Sequence, residues 1–276
     1  LIRAQPGICA LGVESRPEFV TDQLLAEASE LLAGRAGDDP IGLTVGLGLE
    51  CVDELAREAC VNKGTRLADI LGAMDRIRSA TRTRSGVRFG TEIHVLLKPP
   101  FLTEREAMED SEAAIRWACS QRADRVIFML NGIKEHTLCA WLAAQDDFSA
   151  PLRYRTPRLW SALEVLRRLP ENDRRRTLTF GFASNTPIEQ PATNCTACDT
   201  LVLGAIHAHN CSGDRGVLDR AAALPCPCRT SWLADVDTTH PSLAERLPTD
   251  LEAIERRLGI GQTVPGGWRT QEARRQ

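Results

Sequence analysis

The sequence has no long apolar run and no leader-like start. No uninterrupted apolar stretch approaches the roughly 18 residues that span a bilayer, and the first residues lack a basic stretch followed by an apolar core. We therefore predict a soluble, cytoplasmic protein with no membrane association. The 276 residues, of which 43% are hydrophobic, are enough to bury a core, which excludes a disordered or collagen-like chain.

Lysine is also scarce, and the net charge is small. Lysine occurs only at positions 63, 98 and 134, so arginine supplies most of the 34 basic residues, as is typical of a GC-rich genome. The net charge of −3 argues against a protein that coats nucleic acid without specificity, because such binding neutralises many phosphates. Residues 151–180 nevertheless hold eight arginines against three carboxylates. This local excess predicts either an anion-binding surface or a solvated helix face.

The first half of the chain alternates between two patterns. Mostly continuous apolar runs, typical of strands buried on both faces of a parallel sheet, cover residues 8–15, 42–50, 90–98 and 124–130. Amphipathic segments between them predict helices over 22–33, 66–80 and 104–119, capped by Thr21, by Thr65 and by a capping box of Thr103 and Glu106. Such alternation predicts an α/β fold with right-handed crossovers.

Four strands cannot close a barrel. An open sheet would accommodate them, but units that begin abruptly at residue 1 favour the second half of a partial (β/α) barrel of parallel strands, whose first strands precede this chain. We expect four parts: a partial barrel over 1–150, a basic connecting segment over 151–190, a small Cys-rich α-helical metal-binding module over 191–260 and a disordered tail over 261–276.

Polar residues follow the predicted strands at the edge where parallel α/β folds bind ligands. Glu14 and Arg16 follow the first strand, Glu50 ends the second, and Lys98 ends the third. Carboxylates and cations that converge on one crevice suit a ligand with amino, carboxylate and ribose groups. The alternative interpretation is that these are turn residues and surface ion pairs.

Ten cysteines without a secretory signal predict core thiols and metal ligands, not disulfides. Two close pairs can each bind one edge of a tetrahedral metal site, which predicts structural zinc or an auxiliary iron–sulfur cluster at Cys195, Cys198, Cys226 and Cys228. His207, His209 and Cys211 are reserve ligands. The scattered cysteines are expected in the core, namely Cys9, Cys51, Cys60, Cys119 and Cys139. Trp160 is expected either in the core or, with Arg158, stacked on a base.

Several blocks of the sequence resemble the later half of a radical S-adenosylmethionine protein. They are VESRPEFV (13–20), GLGLE (46–50), NKG (62–64), LLKPPFLTEREA (96–107) and YRTPRLWS (154–161), and the cysteine motifs NCTACD (194–199) and PCPCRTSW (225–232) look like paired motifs of the same family. The resemblance covers about residues 8–235 and is nearest to the archaeosine-synthase-like branch, related to the elongator acetyltransferase and methylthiotransferase radical domains.

The resemblance implies a cofactor site on the strand ends. Glu14 corresponds to a residue beside bound S-adenosylmethionine, Glu50 to a residue facing the ribose, and Lys63 to a residue near the methionine carboxylate. Lys98 occupies the place of a turn that closes over the cofactor. With Arg16, these residues form the predicted cofactor-binding set, and no catalytic residue is assigned.

One departure from the family is decisive. Radical S-adenosylmethionine chemistry needs a C-x3-C-x2-C loop that holds a [4Fe-4S] cluster, and this sequence has none, because position 191, which would complete a triplet with Cys195 and Cys198, is Pro191. We therefore expect cluster ligands upstream of this chain, which would be an N-terminally truncated enzyme.

The resemblance implies that the complete enzyme modifies a 7-deazaguanine-type nucleoside or a tRNA base through a 5′-deoxyadenosyl radical, with electrons from a reductant protein. The alternative is a non-catalytic, zinc-containing scaffold that binds RNA or a protein. A hydrolase or transferase is disfavoured, because the sequence has no nucleophile elbow, phosphate loop or histidine-rich zinc pattern.

Overall fold

The computed structural model describes residues 8–33, 41–83, 86–180 and 190–259. Its strands are β1 (Ala10–Ser15), β2 (Ile41–Glu50), β3 (Val87–Leu97), β4 (Arg125–Leu130) and β5 (Thr177–Phe180). Its α-helices are α1 (Asp22–Ala33), α2 (Leu67–Thr83), α3 (Glu104–Ser120), α4 (Leu138–Ala143), α5 (Leu159–Arg168), α6 (Glu171–Arg176), α7 (Asp199–Ser212), α8 (Arg215–Ala222), α9 (Pro227–Asp237) and α10 (Leu243–Leu258). Within these ranges, no helix is long and apolar enough to cross a membrane.

The chain forms two compact units, Leu1–Thr238 and Thr239–Gln276. The first unit contains the sheet, the arginine-rich segment and both cysteine pairs. The second contains α10, which begins with a capping box of Ser242 and Glu245 and ends at Gly259 in the left-handed conformation. The predicted tail over 261–276 lies outside the described residues.

The five strands form one parallel sheet in the order β1-β2-β3-β4-β5. Because right-handed crossovers between successive neighbours all pass over the same face, an order without reversal keeps the helices on one side. This is the arrangement of a segment of a (β/α) barrel, whereas a doubly wound sheet reverses its strand order. The predicted α/β fold with parallel strands is confirmed.

Strand β5 was not predicted from the sequence. This strand has only four residues, TLTF, and it directly follows the arginine-rich α6, so no apolar run marks it. It pairs with β4 from Val126 opposite Thr177 to Met129 opposite Phe180. Asn210 of α7 fixes it from the side, since its amide accepts from the backbone nitrogen of Thr179 at 2.9 Å and donates to the Thr179 carbonyl at 2.7 Å.

Burial largely alternates along β2 and β3, and β1 has no buried residue, which corrects the expectation of strands buried on both faces. In β2 the side chains toward the helices are buried, namely Ile41, Leu43, Val45, Leu47 and Leu49. The residues between them are Gly42, Thr44, Gly46, Gly48 and Glu50, and they line the opposite face. Small glycines between large apolar residues made the run look continuous, although its two faces differ in chemistry.

Two of the predicted helix starts are confirmed. Thr21 Oγ1 accepts from the backbone nitrogen of Leu24 at 3.1 Å, and Thr103 forms the predicted capping box with Glu106. At the start of α2 the predicted cap by Thr65 is not seen. The Asp69 carboxylate instead accepts a hydrogen bond from the backbone nitrogen of Arg66 at 3.1 Å. Thr65 Oγ1 lies 3.5 Å from the Lys63 carbonyl and donates to it.

Candidate functional site

Glu50 and Lys63 form an ion pair at the carboxyl end of β2. Lys63 Nζ donates to Glu50 Oε1 at 2.9 Å, and the two side chains are only 20% and 16% exposed. The pair lies over Gly48, where an added Cβ would be 2.3 Å from the Lys63 ammonium and 2.6 Å from Glu50 Oε1. Glu50 has a left-handed backbone, with φ 63°, a conformation that non-glycine residues rarely adopt.

Arg16 stabilises the turn that contains Lys63. Its guanidinium donates to the carbonyls of Lys63 at 3.3 Å and Gly64 at 3.4 Å, and it pairs with Glu18 at 2.5 Å. The turn needs left-handed residues, and Gly64, with φ 60°, supplies one of them. The structure thus brings together three of the predicted site residues, Arg16, Glu50 and Lys63.

Glu14 lies on the same face of the sheet, beside Glu92 and His94, which were not predicted from the sequence. Glu14 pairs in register with Gly46, where an added Cβ would be 2.9 Å from Nε2 of His94. That ring nitrogen lies 3.2 Å from Glu92 Oε1. Burial by itself lowers the pKa of His94. The hydrogen bond to Glu92 and the carboxylates of Glu14 and Glu50 outweigh burial, so the ring's pKa is raised above its ordinary value.

Lys98 is placed differently from the other predicted residues. Its ammonium lies 2.7 Å from Glu104 Oε1 in a buried ion pair, and the residue is 9% exposed. Its backbone is left-handed, with φ 60°, and its carbonyl accepts from Asn131 Nδ2 at 3.1 Å and from the Tyr154 hydroxyl at 3.0 Å. Lys98 therefore anchors the end of β3 to the interior, while Glu50 and Lys63 remain partly accessible.

Glu104 extends this buried network to two more helices. Its Oε2 accepts from the Ser161 hydroxyl of α5 at 2.5 Å, and Ser161 Oγ in turn accepts from Trp232 Nε1 of α9 at 2.8 Å. The backbone nitrogen of Arg158 also points at Glu104 Oε1, at 3.4 Å. One carboxylate thus joins the end of β3 to both helices that pack beside the cysteine pairs.

The four paired cysteines meet in one cluster. Their sulfurs are 3.6 Å apart for Cys195 and Cys198, 3.4 Å for Cys195 and Cys226, 3.4 Å for Cys198 and Cys228, and 3.3 Å for Cys226 and Cys228. Four thiolates about 2.3 Å from a tetrahedral ion would lie about 3.8 Å apart. The donor set and its spacing therefore fit a single four-coordinate metal ion, and the predicted metal-binding cluster is confirmed as a group that can bind a metal.

Both cysteine pairs lie at helix N-termini. Cys198 is the N-cap of α7, and Cys226 is the N-cap of α9, with Cys228 in its first turn. The positive end of a helix dipole favours thiolate, the form that binds metal. Hydrogen bonds from Cys226 and Cys228 lower the pKa of Cys195 to about 7, whereas burial raises the pKa values of Cys198 and Cys228.

Trp160 supports the cluster from the core. It is 1% exposed, which confirms the core interpretation, and its Nε1 donates to Cys228 Sγ at 3.2 Å. Asn194 fixes the loop before the first cysteine pair, because its side-chain oxygen accepts from the Trp160 backbone at 3.1 Å and its carbonyl accepts from Arg158 Nη1 at 3.0 Å. The cysteine pairs are thus held in position by α5.

The remaining cysteines and histidines lie outside this cluster. Four scattered cysteines are buried as predicted, namely Cys51, Cys60, Cys119 and Cys139, and burial raises the pKa of Cys119 to about 12. The expectation for Cys9 is wrong, because this residue is exposed just before the edge strand β1. Cys211 is also exposed, and His209 is buried near the end of α7.

Comparison with known proteins gives three relatives and no matching family model. The chain is 27% identical over 227 residues to archaeosine synthase subunit beta of Methanosarcina acetivorans and 28% identical over 225 residues to that of Thermococcus kodakarensis. It is also 24% identical over 235 residues to an uncharacterized protein of Methanocaldococcus jannaschii. These similarities support an archaeosine-synthase-like family. They cover 80–84% of this chain but only 58–61% of the relatives.

Proposed function

We propose that this chain acts in the modification of a 7-deazaguanine-type nucleoside of tRNA, as part of a radical S-adenosylmethionine enzyme. The observation that carries the proposal is the Glu50–Lys63 pair over Gly48 at the strand ends of a parallel sheet. Similarity to two archaeosine synthase beta subunits along most of the chain supports a role in tRNA modification. The proposal places the reaction at the carboxyl ends of the strands.

The chemistry of the strand-end residues fits S-adenosylmethionine. Glu50 can accept hydrogen bonds from the ribose hydroxyls, Lys63 can pair with the methionine carboxylate, and Glu14 can attract the amino group. Arg16 keeps Lys63 in place by holding the carbonyls of its turn. When bound together with a reduced [4Fe-4S] cluster, the cofactor would supply a radical that abstracts hydrogen. This sequence has no C-x3-C-x2-C loop, so the cluster ligands in this proposal lie outside it.

The cysteine cluster in this proposal holds structural zinc. Four protein sulfurs complete a tetrahedral coordination shell and leave no open position for a substrate, which is the arrangement of structural zinc sites. In a [4Fe-4S] cluster each thiolate would bind a different iron, so the four sulfurs would lie farther apart than around a single ion. The sulfurs of this cluster all lie within 4.8 Å of one another, which favours a single ion. The ion would connect the start of α7 to the start of α9.

Cofactor binding by a Glu50→Ala variant tests the site. The protein should be produced from its whole reading frame, reconstituted with iron and sulfide under anaerobic conditions, and titrated with S-adenosylmethionine in a calorimeter. We expect the dissociation constant to rise by roughly tenfold or more, because the ribose hydroxyls lose the carboxylate that accepts their hydrogen bonds. Glu54→Ala, at an exposed carboxylate four residues along, is the matched control. Equal affinities for wild type and Glu50→Ala would remove Glu50 from the cofactor site.

A non-catalytic scaffold is the second candidate, and the closed four-cysteine cluster favours it. Such a scaffold would keep the zinc and bind RNA or protein without radical chemistry. The coding DNA before Leu1 distinguishes the two candidates. An in-frame extension with a C-x3-C-x2-C loop supports the enzyme, whereas a stop codon directly before a functional start codon supports the scaffold.

A further inference from the structure

A basic cleft lies where the end of α5, the short helix α6 and the turn between α7 and α8 meet. Its volume is about 530 Å³, and four arginines line it, namely Arg168, Arg174, Arg175 and Arg215. The only carboxylates among its lining residues are Glu171 and Asp214, so the lining carries a charge of +2. Three of the eight arginines of residues 151–180 thus lie at this cleft.

Arg174 is the buried member of the cleft. The residue is 4% exposed, and its Nη1 donates to the Leu169 carbonyl at 3.1 Å. Its Nε has no hydrogen-bond partner in the described part of the chain, and no carboxylate there pairs with its charge. A buried donor without a partner is rare in folded proteins and calls for an explanation, such as a ligand that completes its bonding.

A second buried group without partners lies beside Arg174. His209 is 1% exposed, and neither of its ring nitrogens finds a hydrogen-bond partner among the described residues. Burial lowers the pKa of His209, and the positive charge of Arg174 lowers it further. An imidazole carries no negative charge in either protonation state, so His209 is not a counter-ion for Arg174.

The outer arginines are held in weak, exposed ion pairs. Arg175 pairs with Glu171 at 2.8 Å, and Arg215 pairs with Asp219 at 3.3 Å, with arginine side chains that are 61% and 52% exposed. Exposed pairs of this kind contribute little, and each guanidinium has five N–H donors, so a phosphate can add to these arginines or replace their partners. Guanidinium groups bind phosphate oxygens in a bidentate manner.

We infer that this cleft binds backbone phosphate of the tRNA substrate, an inference that rests on the proposed function. Helix α7 separates the cleft from the cysteine cluster, because Cys198 is its N-cap and Gly213 is its C-cap. Its 14 residues correspond to about 21 Å of helix.

The position of the cleft also predicts its role. Helix α6 leads directly into the start of β5, whereas Glu50 and Lys63 lie at the carboxyl end of β2. The cleft therefore anchors the RNA backbone away from the reacting base and reads no sequence, because phosphate contacts carry no base information. It should affect RNA affinity and its salt dependence, and leave the chemistry at the bound base unchanged.

The test is a salt titration of tRNA binding with the metal-loaded chain. Fluorescence anisotropy of a labelled tRNA transcript is measured from 50 to 300 mM salt for wild type and for Arg175→Ala/Arg215→Ala. The matched control is Arg78→Ala/Arg82→Ala on α2, where Arg78 also has an intrahelical ion pair. We expect the slope of log affinity against log salt to fall by about 2 in the cleft variant and to stay unchanged in the control.

The outcomes separate this inference from the proposed function. If the cleft variant and the control bind tRNA with the same affinity and slope, the cleft inference is overturned while tRNA binding stands. If wild type binds no tRNA, both are overturned. If the cleft variant loses binding of polyglutamate but keeps its affinity for tRNA, the cleft serves an acidic protein partner and the inference fails. Arg174→Lys, which keeps the charge but removes Nε, should weaken tRNA binding without flattening the salt slope.

Discussion

The buried carboxylate of Glu104 forms an ion pair with Lys98 and accepts a hydrogen bond from Ser161. Its replacement by alanine would leave Lys98 without its partner. The two side chains are 7% and 11% exposed and lie 2.7 Å apart. Removing one member of a buried ion pair costs about 3–5 kcal/mol, because the other charge stays desolvated. The Ser161 hydroxyl loses its acceptor as well. We expect Glu104→Ala to lower the free energy of unfolding by about 3–5 kcal/mol.

Urea denaturation followed by circular dichroism measures this loss, with the denaturant slope checked for equality between variants. Glu112→Ala on the same helix is the matched control, because Glu112 pairs with Arg116 at 2.8 Å in an i,i+4 ion pair whose side chains are 21% and 48% exposed. That change should cost only about 0.3–0.5 kcal/mol. The double variant Lys98→Met/Glu104→Leu should recover most of the loss, since an apolar pair of similar volume removes both buried charges.

Equal destabilisation by Glu104→Ala and Glu112→Ala would contradict a buried unpaired charge at Lys98. A double variant less stable than Glu104→Ala would contradict it too, because the cost would then come from packing and not from an unpaired ammonium.

Three further predictions concern the metal cluster and the strand-end histidine. Trp160→Phe removes the N–H bond to Cys228 and keeps an aromatic, though smaller, side chain, so zinc affinity measured by chelator competition should fall roughly 10–100-fold; unchanged affinity would show that the bond is unimportant. Cys198→Ser should abolish the binding of one zinc per chain measured by elemental analysis, and equal zinc content in the variant would contradict the four-cysteine site. The raised pKa of His94 means that its contribution to stability is complete below its ordinary value of 6.5 and is lost as pH rises through the folded-state pKa. The stability difference between wild type and His94→Gln should therefore shrink from pH 6 to pH 8, and a constant difference would rule out the interaction with Glu92.

The sequence predicted the parts of the site that depend on local spacing. The pairs Cys195 with Cys198 and Cys226 with Cys228 are close in the chain, so each can bind one edge of a metal site wherever the fold places it. Glu50 ends a strand that apolar periodicity reveals. Its pairing with Lys63 could be inferred only from a family resemblance, because the turn at 62–64 brings them together over Gly48.

The parts that the sequence did not predict depend on register and backbone conformation. His94 lies opposite Gly48 in the sheet, and an alternating reading of β3 would have placed it on the same face as Glu92. Lys98 directly follows β3, which ends one residue earlier than predicted, and its left-handed backbone accompanies a side chain that pairs with Glu104 in the interior. No sequence pattern predicts such a residue, because non-glycine residues rarely adopt this backbone conformation.

We propose that this chain acts in the modification of a 7-deazaguanine-type nucleoside of tRNA. Mass spectrometry of nucleosides from total tRNA, compared between source cells with and without the gene for this chain, tests this function in the cell. We predict that one 7-deazaguanine nucleoside disappears in the deletion strain and returns with the wild-type gene but not with Glu50→Ala. An unchanged nucleoside profile in the deletion strain would contradict the claim.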